Sequence, residues 1–121
     1  MKKTNKKERD FIMFLEDISD SIEKIEKYTD KQKEEFFANE ISVDATTRRL
    51  EIIGEAIKNI PADFKRKHKE IDWKNIVGMR NILIHEYFGV NKEKLWKVIK
   101  KDIPELKIKM LKIFEELKIN K

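Results

Sequence analysis

From Phe11 to Ile25 the apolar residues fall at Phe11, Phe14, Leu15, Ile18, Ile22 and Ile25, spacings of three and four that place them on one helical face. Glu16, Asp17, Asp20, Glu23 and Glu26 cover the opposite side. The pattern predicts a helix from Glu8 to Tyr28, and the same period recurs down the chain. With only three glycines and two prolines in 121 residues, little interrupts it. A hydrophobic share of 40% is enough for one core. The expected fold is therefore all-α: an up-down bundle of four main helices plus a C-terminal helix, a single domain over 1–121 with a mobile basic N-terminus at 1–7.

The remaining elements follow from local signals. A short helical turn is expected around Glu34 to Phe37. A second helix should open at Ser42 or Asp44, both good N-cap types, and stop at Ile60, because Pro61 disfavours helix in the residue before it. Its apolar face is Leu50, Ile53, Ile57 and Ile60, and Gly54 in its middle costs about 1 kcal/mol relative to Ala. Close approach of another helix would account for Gly54. The stretch "ADFKRKHKEI" reads as a connection, with His68 solvated and "KRKHK" available to touch a phosphate backbone. Asp72 caps a third helix from Trp73 to Tyr87, which Gly89 ends in a left-handed stop. Asn91 caps a fourth, with Leu95, Trp96 and Ile99 inward. Asp102 and Pro104 then break the chain before the final helix. Trp73 and Trp96 sit at core spacing, which favours packing over base stacking.

No apolar run approaches the roughly 20 residues of a membrane span, and the basic opening has no signal-type apolar segment behind it, so a cytoplasmic protein without membrane contact is expected. The absence of cysteine removes disulfides, thiolate nucleophiles and Cys-based zinc sites. Neither a cofactor nor a metal is expected: the scattered glycines form no phosphate-cradling loop, and Glu51 and Glu55 lack a histidine at matching spacing. Arg48 stands where it can pair with Glu51 or Glu55 instead. The net charge of +5 lies in the C-terminal quarter. It suits a polyanion such as RNA, and equally the solvated Lys and Glu faces of heat-adapted proteins.

The segment "RNILIHEYFG" at 80–89 needs a different explanation. On a wheel of about 100° per residue with Arg80 at zero, Asn81, His85 and Tyr87 fall at about 100°, 140° and 340°. Gly78 falls beside His85, and Val77 and Ile84 lie within the same arc. Met79, Ile82, Leu83 and Ile76 form the packing stripe opposite. Apolar residues among Arg, Asn and His suggest that another chain covers this arc, with Gly78 permitting its approach. Glu86 breaks the pattern, a carboxylate on the apolar side near a helix C-terminus, and the spacing gives no account of it.

An Arg that neutralises phosphate charge and a His that moves protons are the parts for cutting RNA through its own 2′-hydroxyl, where the substrate brings the nucleophile. Asn81 can hold the imidazole or the substrate. One His cannot be both base and acid in a single pass, so a two-fold homodimer that pairs the arcs would complete the site. The bland alternative is structural: His85 favouring the helix C-terminal dipole and Arg80 pairing with a carboxylate of the second helix.

"RNILIHEYF" resembles the R-x4-H-x-Y signature of the HEPN superfamily, specifically the HepT-like (DUF86-like) toxins of HepT/MNT toxin–antitoxin systems. Arg80, His85 and Tyr87 fill the signature and Asn81 the polar position after the Arg. "RRLEIIGEAIKNIP" at 48–61 and "IDWKNIVGMRNILIHEYFGV" at 71–90 are similar to the same family. The resemblance implies a HEPN-like helical fold and a dimeric, metal-independent ribonuclease whose Arg and His line a cleft between protomers. It also implies a cognate MNT-type nucleotidyltransferase antitoxin that transfers AMP to Tyr87. A bulky anionic group there would fill the cleft and occupy Arg80. Some HEPN proteins bind nucleotides or partners without cutting RNA, which leaves a non-catalytic subunit of a nucleotidyltransferase complex as the alternative.

Overall fold

A computed structural model describes residues 6–78 and 91–118, with side chains from Phe11 onward. Among these residues every regular element is helical, as expected of an all-α, HEPN-like bundle. Helix α1 runs over Lys6–Tyr28, α2 over Lys33–Ala38, α3 over Glu40–Lys58 and α4 over Ala62–Lys67. Helix α5 occupies 73–78, where the described stretch ends. Helix α6 is Lys92–Lys97, and a π-helical turn over Val98–Asp102 joins it to α7, Ile103–Glu116. No helix among the described residues is long and apolar enough to cross a membrane.

Helix α1 is the centre of the packing, with α3 along one side and α7 along another. The spacing read from the sequence is the cause: Leu15, Ile18, Ile22 and Ile25 are buried on α1, and Leu50, Ile53, Ala56 and Ile57 on α3. Removing each such side chain from water contributes roughly 1.5–3 kcal/mol. Gly54 is buried within α3. Polar ties run along the same seams, with Arg49 reaching Asp20 at 4.0 Å and Lys107 reaching Glu26 at 2.9 Å.

Helix α1 opens at Lys6 and not at Glu8, and both boundaries of α3 differ from the sequence reading. Helix α3 opens at Glu40, not at Ser42 or Asp44, because the Asn39 side-chain oxygen accepts the Ser42 N–H at 3.1 Å. Ser42 is buried, and its hydroxyl accepts from Lys31 Nζ at 3.1 Å. The helix ends at Lys58, two residues before Ile60, and Asn59 folds its amide back onto the Glu55 carbonyl at 2.9 Å.

The expected break at Asp102 and Pro104 is absent: α6, the π turn and α7 form one continuous helical run. Two features of the sequence explain it. Pro104 has no N–H for the Lys100 carbonyl, so the ladder must be rearranged there in any case, and Ile103 N–H donates five residues back to Val98. The buried residues Leu95, Ile99 and Ile103 are four apart, a spacing that drifts by about 40° per step on an α-helix. A wider turn keeps them in line with Leu106, Met110 and Ile113.

Two aromatic clusters fix the ends. At one, Phe36 is fully buried against Phe37 and Trp96, with ring centroids 5.0 and 5.7 Å away. Lys100 lies over the Trp96 ring at 4.8 Å and donates to the Thr29 carbonyl at 3.0 Å, tying the π turn to the end of α1. At the other, Phe64 of α4 meets Phe11 of α1 at 4.4 Å and Trp73 at 6.4 Å. Both tryptophans thus take packing roles.

Candidate nucleic-acid interface

The segment that carries the proposed chemistry follows α5 in the sequence. Arg80, Asn81, His85, Glu86 and Tyr87, with Gly89, all lie outside the described residues. What the structure does describe is the platform from which that segment departs.

Helix α5 begins where the sequence places it. Asp72 accepts the Asn75 N–H at 3.1 Å and so satisfies one of the helix's orphan donors. Trp73, at the first helical position, is 9% exposed, and its indole N–H donates to the His68 carbonyl at 3.0 Å. The base of α5 is therefore gripped by both the ring and its polar edge.

His68 departs from expectation. It is not solvated: its side chain is 12% exposed and its ring lies 4.3 Å from that of Phe64. The supposed connection is helix α4, whose one large apolar residue, Phe64, gives no periodicity to read. Nδ1 of His68 lies 3.1 Å from Glu70 and 3.9 Å from Glu116 near the end of α7. The Glu70 carboxyl is held below its ordinary value, first by a hydrogen bond from its own backbone N–H and then by the one with His68.

Glu51 and Glu55 behave as ion-pairing residues of α3. Arg48 meets Glu51 at 3.2 Å and Lys58 meets Glu55 at 3.7 Å. No group of three or more His, Asp or Glu that could hold a metal occurs among the described residues.

The exposed side of α5 borders an open groove of about 560 Å³. Among the described residues it is lined by Ile57 of α3, Lys65 of α4, and Trp73, Lys74, Val77 and Gly78 of α5. Among the described residues, a Cβ placed on Gly78 would meet nothing within 4 Å, so they leave the space beside it open. The two lysines were missed in the sequence. Lys74 had a legible signal, because six residues before Arg80 corresponds to about 120° on the same wheel, between Asn81 and His85. Lys65 had only its place in "KRKHK".

The HepT-like family model, described as Ribonuclease HepT-like, matches residues 18–113. A Thermococcus cleftensis protein named "Probable ribonuclease HepT" is 52% identical over 83% of this chain and 92% of its own length. A Methanocaldococcus jannaschii protein named for a gamma-glutamylcyclotransferase and a candidate RNase is 52% identical over 93% of this chain. The chain spans about half of that relative's length, 51%. Another M. jannaschii protein, named as a candidate RNase, is 43% identical over 90% of this chain and 95% of its own. No solved structure gives a significant match. With the family model matched over residues 18–113 and relatives about half identical to it, this chain belongs to the HepT-like ribonuclease family.

Proposed function

We propose that the protein is a homodimeric, metal-independent endoribonuclease, the toxin of a HepT/MNT pair, with its active site shared between two protomers. The observation that carries this reading is the open groove at Val77 and Gly78, where α5 leads into "RNILIHEYF" in a chain of this family. The names of its relatives supply the substrate class.

The 2′-oxygen of the RNA attacks the adjacent phosphorus, the bond from phosphorus to the 5′-oxygen breaks, and the products carry a 2′,3′-cyclic phosphate and a 5′-hydroxyl. The proton of the 2′-hydroxyl passes to one His85 imidazole. A second copy of His85, protonated, gives its proton to the departing 5′-oxygen. Arg80 neutralises the charge that builds on the non-bridging oxygens, and Asn81 positions substrate or imidazole. No cofactor takes part. Control acts through Tyr87: its phenol oxygen attacks the α-phosphorus of ATP on an MNT-type nucleotidyltransferase, releasing pyrophosphate, and the attached AMP fills the cleft.

The test is incubation of the purified, unmodified dimer with RNA in the presence of a chelator. Products ending in 2′,3′-cyclic phosphate are expected. RNA left intact by protein of unmodified mass would overturn the catalytic reading in favour of a partner-binding subunit.

A further inference from the structure

The groove beside α5 carries more information than its position. Among the described residues its lining holds two cations, Lys65 and Lys74, and no carboxylate. Among the described residues neither lysine makes an ion pair, whereas Arg66, the neighbour of Lys65, pairs with Asp63. Val77 and Gly78 are half-buried and, with Ile57 and Trp73, give the groove an apolar lining. Unpaired ammonium groups beside an apolar lining suit a strand whose phosphates are charged and whose bases present flat apolar faces.

The placement relates this groove to the chemistry. The helical periodicity of the sequence predicts Lys74 about 9 Å along the axis from Arg80 and in the same arc as Asn81 and His85. We infer that Lys65 and Lys74 form a binding subsite for the sugar-phosphate backbone of single-stranded RNA, holding nucleotides that flank the scissile phosphate. This rests on the ribonuclease reading above and adds residues that the R-x4-H-x-Y signature does not contain. Lys65 and Lys74 are positioning residues: they hold the strand so that the bond to be cut reaches Arg80 and His85.

The test uses the full-length dimer carrying His85→Ala, so that bound RNA is not consumed, and a fluorescent single-stranded RNA oligonucleotide of mixed sequence. Fluorescence anisotropy is read across a salt series. In this background, Lys65→Gln with Lys74→Gln keeps most of each aliphatic stem and should weaken binding about tenfold, with the salt slope falling by about 1.4 for two lost phosphate contacts. Lys65→Arg with Lys74→Arg, which keeps both charges, should retain both affinity and slope. Unchanged binding by the Gln pair would overturn the subsite, as would an equal loss in the Arg pair. If the wild-type dimer cuts RNA while the Gln pair binds as well as its parent, the subsite fails alone. If the parent does not bind RNA, the subsite and the ribonuclease reading fail together.

Discussion

The indole N–H of Trp73 donates to the main-chain carbonyl of His68 at 3.0 Å, so the first residue of α5 is tied to the last turn of α4. Phe64 completes the tie, stacking on the His68 ring while its edge meets Trp73 and Phe11. Through this cluster α5 is anchored to α1 and the core. Trp73→Phe would keep most of the buried ring and remove the hydrogen bond, leaving a carbonyl without this donor. A loss of about 1 kcal/mol is expected in denaturant unfolding. Trp73→Ala should cost about 3–5 kcal/mol.

The end of α4 is also sensitive to acid. Because the Glu70 carboxyl titrates below its ordinary value in the folded chain, its contribution is present above the unfolded value and is lost as pH falls through the folded one. The side chain is 48% exposed, so the effect is small. Glu70→Gln should be slightly less stable than wild type at about pH 7, and the difference should shrink as the pH falls through the folded value, as judged by midpoints of chemical unfolding.

Asn91 marks the return of the described chain, its side-chain oxygen accepting the Lys94 N–H at 3.1 Å at the start of α6. Asn91→Ala should reduce stability by about 1 kcal/mol, whereas Asn91→Asp, which preserves the acceptor, should change it little. Thermal unfolding of the two variants under one buffer condition checks the pair.

Tyr87 separates control from catalysis in the proposed scheme. Tyr87→Phe removes the oxygen that would accept AMP and leaves Arg80 and His85 in place. Co-expression with the nucleotidyltransferase should raise the intact mass of wild type by whole AMP units and leave Tyr87→Phe unchanged, while the variant still cuts RNA. A mass increase in Tyr87→Phe would place the modification elsewhere.

Much of this architecture was legible because amphipathic spacing dictates it. The buried faces of α1 and α3 are the residues that the three-and-four period selects, and Asp72 and Asn91 cap the helices they precede. Where the sequence misled, several local signals competed. Asn39, Ser42 and Asp44 are all capping types within six positions, and it is the Asn39 side chain, accepting the Ser42 N–H, that caps the helix. Pro104 is a strong stop signal, yet a π turn absorbs its missing donor within a packed helix. His68 carries no periodicity of its own, and its burial comes from Phe64 four residues earlier and from α7. For the candidate site, the sequence offered Arg80, Asn81, His85 and Tyr87 through their shared arc and signature. It did not reveal the groove, because Lys65 and Lys74 meet only when α4 and α5 are folded together.

The central claim is that His85 moves protons in RNA cleavage, and single-turnover cleavage by wild type and by His85→Ala tests it most directly. Light scattering should first show that both are dimers. The account predicts that His85→Ala cuts the same RNA about 10²–10⁴-fold more slowly. Cleavage by a dimeric His85→Ala at the wild-type rate would contradict it.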